Sequence, residues 1–472
     1  MKRTNLVLFR ALIALAILLP GSFAAAQQAQ PDGPYYIVQA GDSLWDIALR
    51  FGVSLDDLKN ANGISNANQL SSGSKLVIPG LEGIQGVLET QPVPFGETLH
   101  SLSRRYQVPT DSLIRLNHLT SPAELYAGRN LIVPQQDKAP AADRRAGLVQ
   151  GQSLLELAVA QSANPWALVA ANALSGTWSA LPGDVLRIPN QPLPQGQPEG
   201  PGALPGPVIT ATVKPLPLVQ GKAAVLQLNG PAGLKLTGSL AGRELHFFPE
   251  DGGSYVALQG VHAMTDPGFY SLALTGTLPS GVPFTFSQQV YIRSGDYRID
   301  PPLTVSSETI DPAVTKPEDA QWFALASTFS TERLWDGIFK SPAPPEFSDC
   351  FPSIFGSRRS FNGSAYIYFH SGLDFCGGVG TEIHAPAAGT VIFAGPLTVR
   401  GNATMIDHGW GVFTGYMHQS KLLVQVGDHV QAGQLIGLVG GTGRVTGPHL
   451  HWEVLVGGIQ VDPADWLKQL YP

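Results

Sequence analysis

The sequence contains little charge and very little cysteine. Charged residues make up 14% of its 472 residues, and 36 acidic against 29 basic residues give a formal net charge of -7. Such a surface argues against nucleic-acid binding, because phosphates are bound by clustered lysine and arginine side chains. The only cysteines are Cys350 and Cys376. Neither has a Cys-x-x-Cys partner, which argues against a zinc site built from thiolates.

The sequence also lacks a long uninterrupted apolar segment. Its N-terminus has a basic start, an apolar run that is interrupted by Arg10 and continues from Ala11 to Leu19, and a small-residue exit that ends at Ala26. This order is typical of a secretory signal peptide, whereas a membrane anchor needs about 20 uninterrupted apolar residues. We therefore expect residues 1–26 to be a cleaved signal peptide, and the mature protein to be extracytoplasmic and without a membrane span.

Export bears on the two cysteines. An exported protein meets oxidising conditions, so a disulfide between Cys350 and Cys376 is expected. The loop that it closes would stabilise the fold by roughly 3 kcal/mol. Two free thiols are the alternative.

Glycine and proline, in contrast, are abundant, with 53 and 39 residues. Both favour turns over long helices. A single hydrophobic core stops growing at about 250 to 300 residues, so a chain of this length should contain several domains. The sequence therefore predicts a multidomain, mainly β protein.

A period of 55 residues runs through the N-terminal part of the chain. Gly41, Gly96 and Gly151 are 55 residues apart, and each is followed 21 residues later by an asparagine, at Asn62, Asn117 and Asn172. In the first unit, apolar residues at helical spacing predict a helix from Leu44 to Phe51, and Ser54 can cap a second one. Short apolar runs before and after the helices predict two strands. Each unit is therefore expected to be a small β-α-α-β module.

This pattern resembles the lysin motif (LysM), a module that binds N-acetylglucosamine chains. The resemblance is closest in the first unit, which reads Gly41-Asp42-Ser43-Leu44-Trp45. It implies glycan-binding modules at residues 35–80, 90–135 and 145–190, the last of them degenerate. An alternative is that the second and third units are spacers.

The middle of the chain has no cluster of catalytic residue types. Residues 191–207 are Pro-rich and predict an extended linker that is poor in packing residues. Short alternating apolar runs over residues 208–297 predict an immunoglobulin-like β-sandwich, with a spacer or substrate-positioning role. Residues 298–349 are expected to be a helical connector. Its helical stretch, at 315–340, would contain Trp322, Phe329 and Leu334 and pack against the last domain.

Histidines are concentrated in the C-terminal region. Seven of the 11 lie between His370 and His451. In the sequence His449-Leu450-His451, a strand would place both imidazoles on the same face. A second segment contains His370 and Asp374, which can approach one ion only if the chain bends between them, as Gly372 permits. Three ligands of these types plus water describe a catalytic zinc site. His370, Asp374 and His451 supply the three.

Two histidines remain beside this set, His418 and His449. Hydrolysis needs a base for a water molecule and a donor for the oxyanion, and these two residues can supply both functions. The sequence does not decide which of them is the base.

The region at 350–472 resembles the lysostaphin-like zinc metallopeptidases, which hydrolyse peptide bonds in peptidoglycan. The shared signatures are His-x-Gly-x-Asp, at His370 to Asp374, and His-x-His, at His449 to His451, with an intervening histidine at His418. The resemblance implies a C-terminal antiparallel β-sheet domain and Zn²⁺ held by His370, Asp374 and His451. It also implies that His449 is the general base and that His418 stabilises the oxyanion.

Together these patterns predict an exported, wall-associated zinc endopeptidase that cuts peptidoglycan cross-links and is targeted by its LysM modules. Its partners would be the peptide cross-links and the N-acetylglucosamine glycan. One alternative is a catalytically silent activator of a cell-wall amidase, although such proteins typically lose one of the five site residues. Another is a peptidoglycan-binding structural protein.

Overall fold

The computed structural model of the chain describes residues 33–66, 70–81, 83–121, 124–135, 143–193, 195 and 199–472. The predicted signal peptide, residues 1–26, lies outside these ranges. Among the residues described, none of the helices has both the length and the apolar character that a membrane span requires.

Three successive modules have the strand-helix-helix-strand order that the repeat predicts. The first contains β1 (Tyr35–Ile37), α1 (Leu44–Phe51), α2 (Leu55–Ala61) and β2 (Lys75–Val77). The second contains β3 (Val87–Pro92), α3 (Leu99–Tyr106), α4 (Thr110–Leu116) and β4 (Asn130–Gln135). The third contains β5 (Asp143–Gly147), α5 (Leu154–Ala160), α6 (Pro165–Ala171) and β6 (Val185–Pro192).

The repeated residues have specific structural roles in each module. Ser43 caps α1 by accepting a hydrogen bond from the Asp46 amide, and Thr98 and Ser153 cap α3 and α5 in the same way. The repeated asparagine joins the second helix to the return strand. In the first module, Asn62 Nδ2 donates to Leu58 O and Val77 O, and its Oδ1 accepts from the Val77 amide. These bonds explain why the repeated asparagine keeps the same position in each 55-residue unit.

The first two modules share one sheet, a feature that the repeat did not reveal. The strand order is β2-β1-β3-β4. Strands β1 and β3 are parallel, with Tyr35 opposite Val87. Leu88, from β3, is buried in the core of the first module. The two modules therefore form one continuous unit.

The middle domain is a β-sandwich. Its strands are β7 (Thr210–Lys214), β8 (Leu218–Val219), β9 (Ala223–Asn229), β10 (Lys235–Leu240), β11 (Arg243–His246), β12 (Phe248–Glu250), β13 (Ser254–Gly260), β14 (Gly268–Thr277) and β15 (Pro283–Arg293). One sheet has the order β11-β10-β14-β15-β8 and the other β12-β13-β9-β7. Leu226 and Leu228 from one sheet and Leu272 and Leu274 from the other share a buried core. An immunoglobulin-like topology remains a prediction.

The predicted linker is partly packed, which corrects the expectation that it is poor in packing residues. Leu204 is fully buried in the sandwich core. The Gly202 amide donates to Glu97 Oε1 of the second module at 3.1 Å. Phe95 and Ala127 of that module are buried in the same core. The second module and residues 199–207 are therefore held against the sandwich.

The connector helix α7 (Pro312–Leu325) begins earlier and ends earlier than predicted. Asp311 caps it, and Pro312 occupies its first turn, where a missing amide hydrogen costs nothing. Phe329 lies beyond the end of α7 and stacks on His246 of the sandwich, with 3.7 Å between the two ring centroids. The predicted packing on the last domain is present, since the ring of Trp322 contacts Phe393.

The C-terminal region is built on a nine-stranded sheet in which all pairings are antiparallel, together with a separate two-stranded sheet of β16 and β17. The elements are β16 (Arg358–Arg359), β17 (Tyr368–Phe369), β18 (Leu373–Phe375), β19 (Glu382–His384), β20 (Gly389–Leu397), β21 (Gly401–Asp407), β22 (Val412–Leu422), β23 (His429–Val430), β24 (Leu435–Val439), β25 (Leu450–Val456), β26 (Ile459–Val461) and α8 (Pro463–Trp466). Strand β25 lies between β18 and β22. A disulfide joins Cys350 to Cys376, as expected.

Candidate metal centre

Three side chains from separate parts of the C-terminal region converge. Asp374 in β18 lies opposite His451 in β25, and His370 follows β17. Nε2 of His370 is 3.0 Å from Asp374 Oδ1 and 3.0 Å from His451 Nδ1, and this Nδ1 is 2.8 Å from Asp374 Oδ1. All three residues are buried. The structure therefore brings together the three residues that the sequence nominates as metal ligands.

The second ring nitrogen of each imidazole has its own partner. His370 Nδ1 is 2.9 Å from Ile354 O and 3.1 Å from Ser353 Oγ, which leaves Nε2 for an ion. His451 Nε2 is 3.5 Å from Glu453 Oε1, which leaves Nδ1. Such partners fix the tautomer and orientation of metal-binding histidines. Two imidazole nitrogens and one carboxylate oxygen are donors that suit Zn²⁺, so the residues present fit this ion.

The charges of the three residues are set by their contacts. Burial lowers the pKa of His370. Burial alone would raise the pKa of Asp374, but the two imidazoles hold it well below its usual value. Burial disfavours a charged His451, yet hydrogen bonds to Asp374 and Glu453 prevail and raise its pKa to about 9. Without a metal ion, the site therefore holds an ionised carboxylate beside a protonated His451.

His449 and His418 lie beside this cluster. Nε2 of His449 is 3.6 Å from Asp374 Oδ1, and its Nδ1 is 2.8 Å from Gly447 O. The His418 and His449 ring centroids are 5.0 Å apart, and His418 Nδ1 is 2.8 Å from Thr442 O. Burial and the neighbouring imidazoles lower the pKa of His418 to about 3. Its φ of 63° is uncommon for a residue other than glycine, and such backbone strain is typical of functional sites.

Gly372 is required by close contact. A Cβ atom at this position would lie 2.4 Å from Trp452 O and 2.7 Å from His451 Nε2. Any side chain would therefore displace the strand that carries His451. The sequence predicts a bend at Gly372, and the structure adds this steric reason.

Comparisons with known proteins match two parts of the chain. Residues 368–463 match the model of Peptidase family M23, and residues 36–79 and 93–134 match the LysM domain. The C-terminal domain is a Peptidase family M23 domain. Together with this M23 domain, the chain carries LysM domains in its N-terminal part.

The relatives of the chain are similar over this region. Peptidoglycan DD-endopeptidase ShyA of Vibrio cholerae is 42% identical over 110 residues, 23% of this chain and 26% of that protein. The DD-carboxypeptidase/endopeptidase Mpg of Neisseria meningitidis is 45% identical over 95 residues, 20% of this chain and 22% of that protein. A crystal structure described as a peptidase M23 from Pseudomonas aeruginosa is 28% identical with a TM-score of 0.39, covering 54% of this chain and 96% of that chain. The chain spans about a quarter of the length of the curated relatives that it matches.

A cleft of about 910 Å³ opens over the metal centre of the M23 domain. The M23 domain supplies His370, His418 and His449, but other regions also line this cleft. His262 comes from the sandwich, and Asp300 comes from the connector. The cleft is therefore formed by three regions.

Glu453 has a role in the site that was not predicted, although the sequence contains a signal for it. Glu453 follows His451 by two residues in β25, so the strand period places both side chains on the same face. Its carboxylate also accepts hydrogen bonds from Trp322 Nε1 and Gln460 Nε2. The contribution of Trp322 was not detectable from sequence, because 131 residues separate it from Glu453.

Proposed function

We propose that the protein is an exported zinc endopeptidase that hydrolyses peptide bonds in peptidoglycan cross-links. The observation that carries this proposal is the convergence of His370 Nε2, Asp374 Oδ1 and His451 Nδ1 to within 2.8–3.0 Å of one another, beside two further histidines. The M23 domain and the names of its relatives, peptidoglycan DD-endopeptidases among them, support the substrate class.

In this proposal, His370, Asp374 and His451 hold Zn²⁺. When bound there, the ion supplies a Lewis acid that polarises a peptide carbonyl and makes water acidic enough to ionise near neutral pH. The protein contributes the shape and charge of the site. Asp374 brings the negative charge, and Ile354 O and Glu453 hold the two imidazoles in orientation.

His449 is assigned as the general base. Its Nδ1 hydrogen is directed at Gly447 O, so the neutral ring presents an unprotonated Nε2 to the cleft. This atom can accept a proton from water. It then carries a hydrogen that it can give to the amine leaving group, so the same nitrogen acts in both halves of the reaction.

His418 is assigned to the oxyanion. Its Nδ1 hydrogen is directed at Thr442 O, so Nε2 is the atom free to face the substrate. The low pKa of His418, about 3, keeps the ring neutral at neutral pH. It can donate from Nε2 only after taking a proton from solvent in the cleft, which negative charge developing on a neighbouring oxygen would favour.

The LysM domains are assigned to targeting. They match over residues 36–79 and 93–134, and binding glycan there would raise the local concentration of cross-links around the cleft. Export would be directed by residues 1–26. This assignment places the enzyme outside the cytoplasm, at the cell wall.

Digestion of purified peptidoglycan tests the activity. The zinc-loaded protein should release free amino groups from peptidoglycan, and mass analysis of the fragments should show broken cross-links. Addition of a chelator should abolish the release, and zinc should restore it. A protein that leaves peptidoglycan unchanged while fully loaded with zinc would instead support the amidase-activator or structural alternative.

Targeting needs a separate test with intact domains. Deleting the modules would remove Phe95 and Ala127 from the sandwich core and uncover the sandwich residues that they cover, so a surface variant is preferable. Trp45 is 62% exposed in the first module, and Trp166, 66% exposed in the third, provides a matched control. Trp45→Ala should slow digestion of intact walls and leave a short soluble peptide unaffected, whereas Trp166→Ala should change neither. Equal losses on walls and on the soluble peptide would contradict targeting by the first module.

A further inference from the structure

Four arginines line the cleft of the M23 domain, and three of them have carboxylate partners. Arg298 pairs with Asp300 at 3.2 Å, and Arg359 pairs with the same carboxylate at 3.5 Å. Arg400 pairs with Glu318 and Asp319 of α7 at 3.0 and 2.8 Å. The fourth is Arg444.

Arg444 is a partly buried cation without a matching anion. Within the described part of the chain, no carboxylate oxygen lies within 4.0 Å of its guanidinium. Its Nη1 donates to Thr309 O at 3.0 Å, and its guanidinium carbon lies 4.5 Å from the centre of the Phe361 ring. These two neutral contacts occupy one N–H donor and one face of the guanidinium, which leaves its other N–H donors for a ligand. Removing such a cation from water is costly unless an anion compensates it.

The charges nearest to Arg444 are unfavourable to it. Burial lowers its pKa, and Arg359 and Arg400 lower it further, more strongly than Asp319 and Glu318 raise it. Arg444 therefore lies where the local field favours an anion. Arg359 shares Asp300 with Arg298, and the other carboxylate that favours its charge, Asp374, is a proposed metal ligand. Once Asp374 holds an ion, Arg359 is also incompletely neutralised.

Arg359 is connected to the metal centre through one residue, and Arg444 lines the same cleft as His370 and His449. Arg359 Nη2 donates to Ser353 Oγ at 2.8 Å, and this oxygen is 3.1 Å from Nδ1 of His370. Arg444 lies between β24 and β25, five residues before His449. An anion bound by these two arginines would therefore lie in the same cleft as the reacting peptide bond.

We propose that Arg444 and Arg359 form a subsite that binds a free carboxylate of the substrate, so that the protein cleaves acidic peptides in preference to their amidated counterparts. The inference rests on the proposed function and specifies its substrate class. A guanidinium binds a carboxylate through two parallel hydrogen bonds, whereas a neutral carboxamide offers one acceptor and no charge. Arg444 should contribute more than Arg359 to the preference for acidic peptides, because Arg359 already shares the carboxylate of Asp300.

The test compares one synthetic cross-linked peptide in two forms, with free carboxylates and with carboxamides. Because hydrogen bonds to charged groups are the stronger ones, the wild-type protein should show a kcat/KM about tenfold or more higher for the acidic form. Arg444→Gln should remove this preference by slowing the acidic peptide alone, and Arg444→Lys should retain part of it. Arg293→Gln is the control, since Arg293 pairs with Asp296 and does not line the cleft; this variant should keep the wild-type preference.

Two outcomes would overturn the subsite. One is a wild-type protein that cleaves the acidic and the amidated peptide with the same kcat/KM. The other is an Arg444→Gln variant that loses rate equally on both peptides, which is the result expected if Arg444 only holds Thr309 in place. Thermal unfolding of each variant separates a folding defect from either result, and Arg444→Lys keeps the charge should Arg444→Gln unfold.

A binding measurement separates failure of the subsite from failure of the proposed function. The zinc-loaded full chain carrying His449→Ala is titrated with each peptide, with and without Arg444→Gln. Tighter binding of the acidic form that Arg444→Gln abolishes supports the subsite, even if the wild-type protein cleaves neither peptide and the proposed activity is wrong. Equal binding of the two forms overturns it, even if both are cleaved.

Discussion

The indole Nε1 of Trp322 donates a 3.0 Å hydrogen bond to Glu453 Oε2. The other oxygen of this carboxylate is 3.5 Å from His451 Nε2 and accepts from Gln460 Nε2 at 2.9 Å. Trp322 and Glu453 are each only 1% exposed. A helix that precedes the M23 domain in sequence is therefore bonded to the residue that orients one of its proposed metal ligands.

Replacing Trp322 with Phe should weaken zinc binding. The variant removes one donor from a buried carboxylate, which costs about 1–3 kcal/mol of folding free energy. Because Glu453 would then orient His451 less well, the zinc dissociation constant should rise about tenfold. Chelator competition measures it.

The control for this variant is Trp335→Phe. Trp335 is also buried, its Nε1 donates to Tyr471 O at 2.8 Å, and its ring packs against Phe339, Trp410 and Trp466 rather than against the metal centre. This variant should lose stability and keep the wild-type zinc affinity. A Trp322→Phe protein with the same zinc affinity as the wild-type protein would show that α7 does not support the metal centre.

The two histidines of the His-x-His motif should differ in their effects. His451→Ala should lose zinc and activity, because it removes a ligand. His449→Ala should retain zinc while its turnover falls by a factor of about 10² to 10⁴, the usual contribution of a general base. Metal analysis of the purified variants, together with turnover numbers, distinguishes the two, and His429→Ala, exposed and outside the cleft, serves as control. Loss of zinc in both variants alike would contradict this division.

Zinc binding should release a proton. His451 has a pKa of about 9 in the metal-free site, so it is protonated at neutral pH and must lose that proton to bind an ion. His370 is already neutral, since its pKa is lowered, and Asp374 is already ionised, since its pKa is lowered too. Between pH 6 and pH 8, the apparent affinity should therefore rise by about tenfold per pH unit, and this rise should end above the pKa of His451.

Calorimetry in buffers of different ionisation enthalpy measures this release directly. About one proton per zinc ion is expected at neutral pH. A value near zero would mean that His451 is neutral before the ion arrives. The same titration on Glu453→Gln should show a smaller release, because one of the two carboxylates that favour the charged ring is gone.

The disulfide should stabilise the M23 domain from one side of the metal centre. Cys376 is two residues after Asp374, and Cys350 is four residues before Ile354, whose carbonyl faces His370. The bond closes a loop with a sequence separation of 26 residues. The double variant Cys350→Ala/Cys376→Ala should lose about 3 kcal/mol of unfolding free energy.

Denaturant unfolding without reductant measures this loss. The wild-type protein in reductant should match the double variant, and reductant should have no effect on the variant itself. An unchanged unfolding free energy in the double variant would show that the bond contributes nothing to the fold.

The sequence predicted those parts of the structure that depend on local patterns. Helical spacing located α1, and the strand period placed His449 and His451 on one face, where both approach Asp374. Short motifs were sufficient to find the three residues that converge, because Asp374 and His451 lie on neighbouring strands. The length of α7 was overestimated, because apolar residues such as Phe329 pack in an extended segment as well as in a helix.

Contacts between distant segments could not be read from the sequence. The pairing of β1 with β3, the burial of Leu204 in the sandwich and the bond from Trp322 to Glu453 all join residues that no local pattern relates. The role of Arg444 was hidden for the same reason. Its isolation becomes visible only when the partners of Arg298, Arg359 and Arg400 are known.

The sandwich is anchored at both of its borders. The Ala127 amide of the second module donates to Gln289 O at 2.9 Å, and Lys222 of the sandwich bridges Asp462 and Asp465 of the C-terminal region at 2.8 Å each. For the proposed function, these contacts mean that the modules and the M23 domain are joined through the sandwich by direct contacts and not only by flexible linkers. A glycan strand bound by the modules would then lie at a fixed distance from the hydrolysed peptide bond. Peptidoglycan in which the distance between glycan strands and cross-links differs would be hydrolysed slowly, even where its peptide bonds are chemically identical.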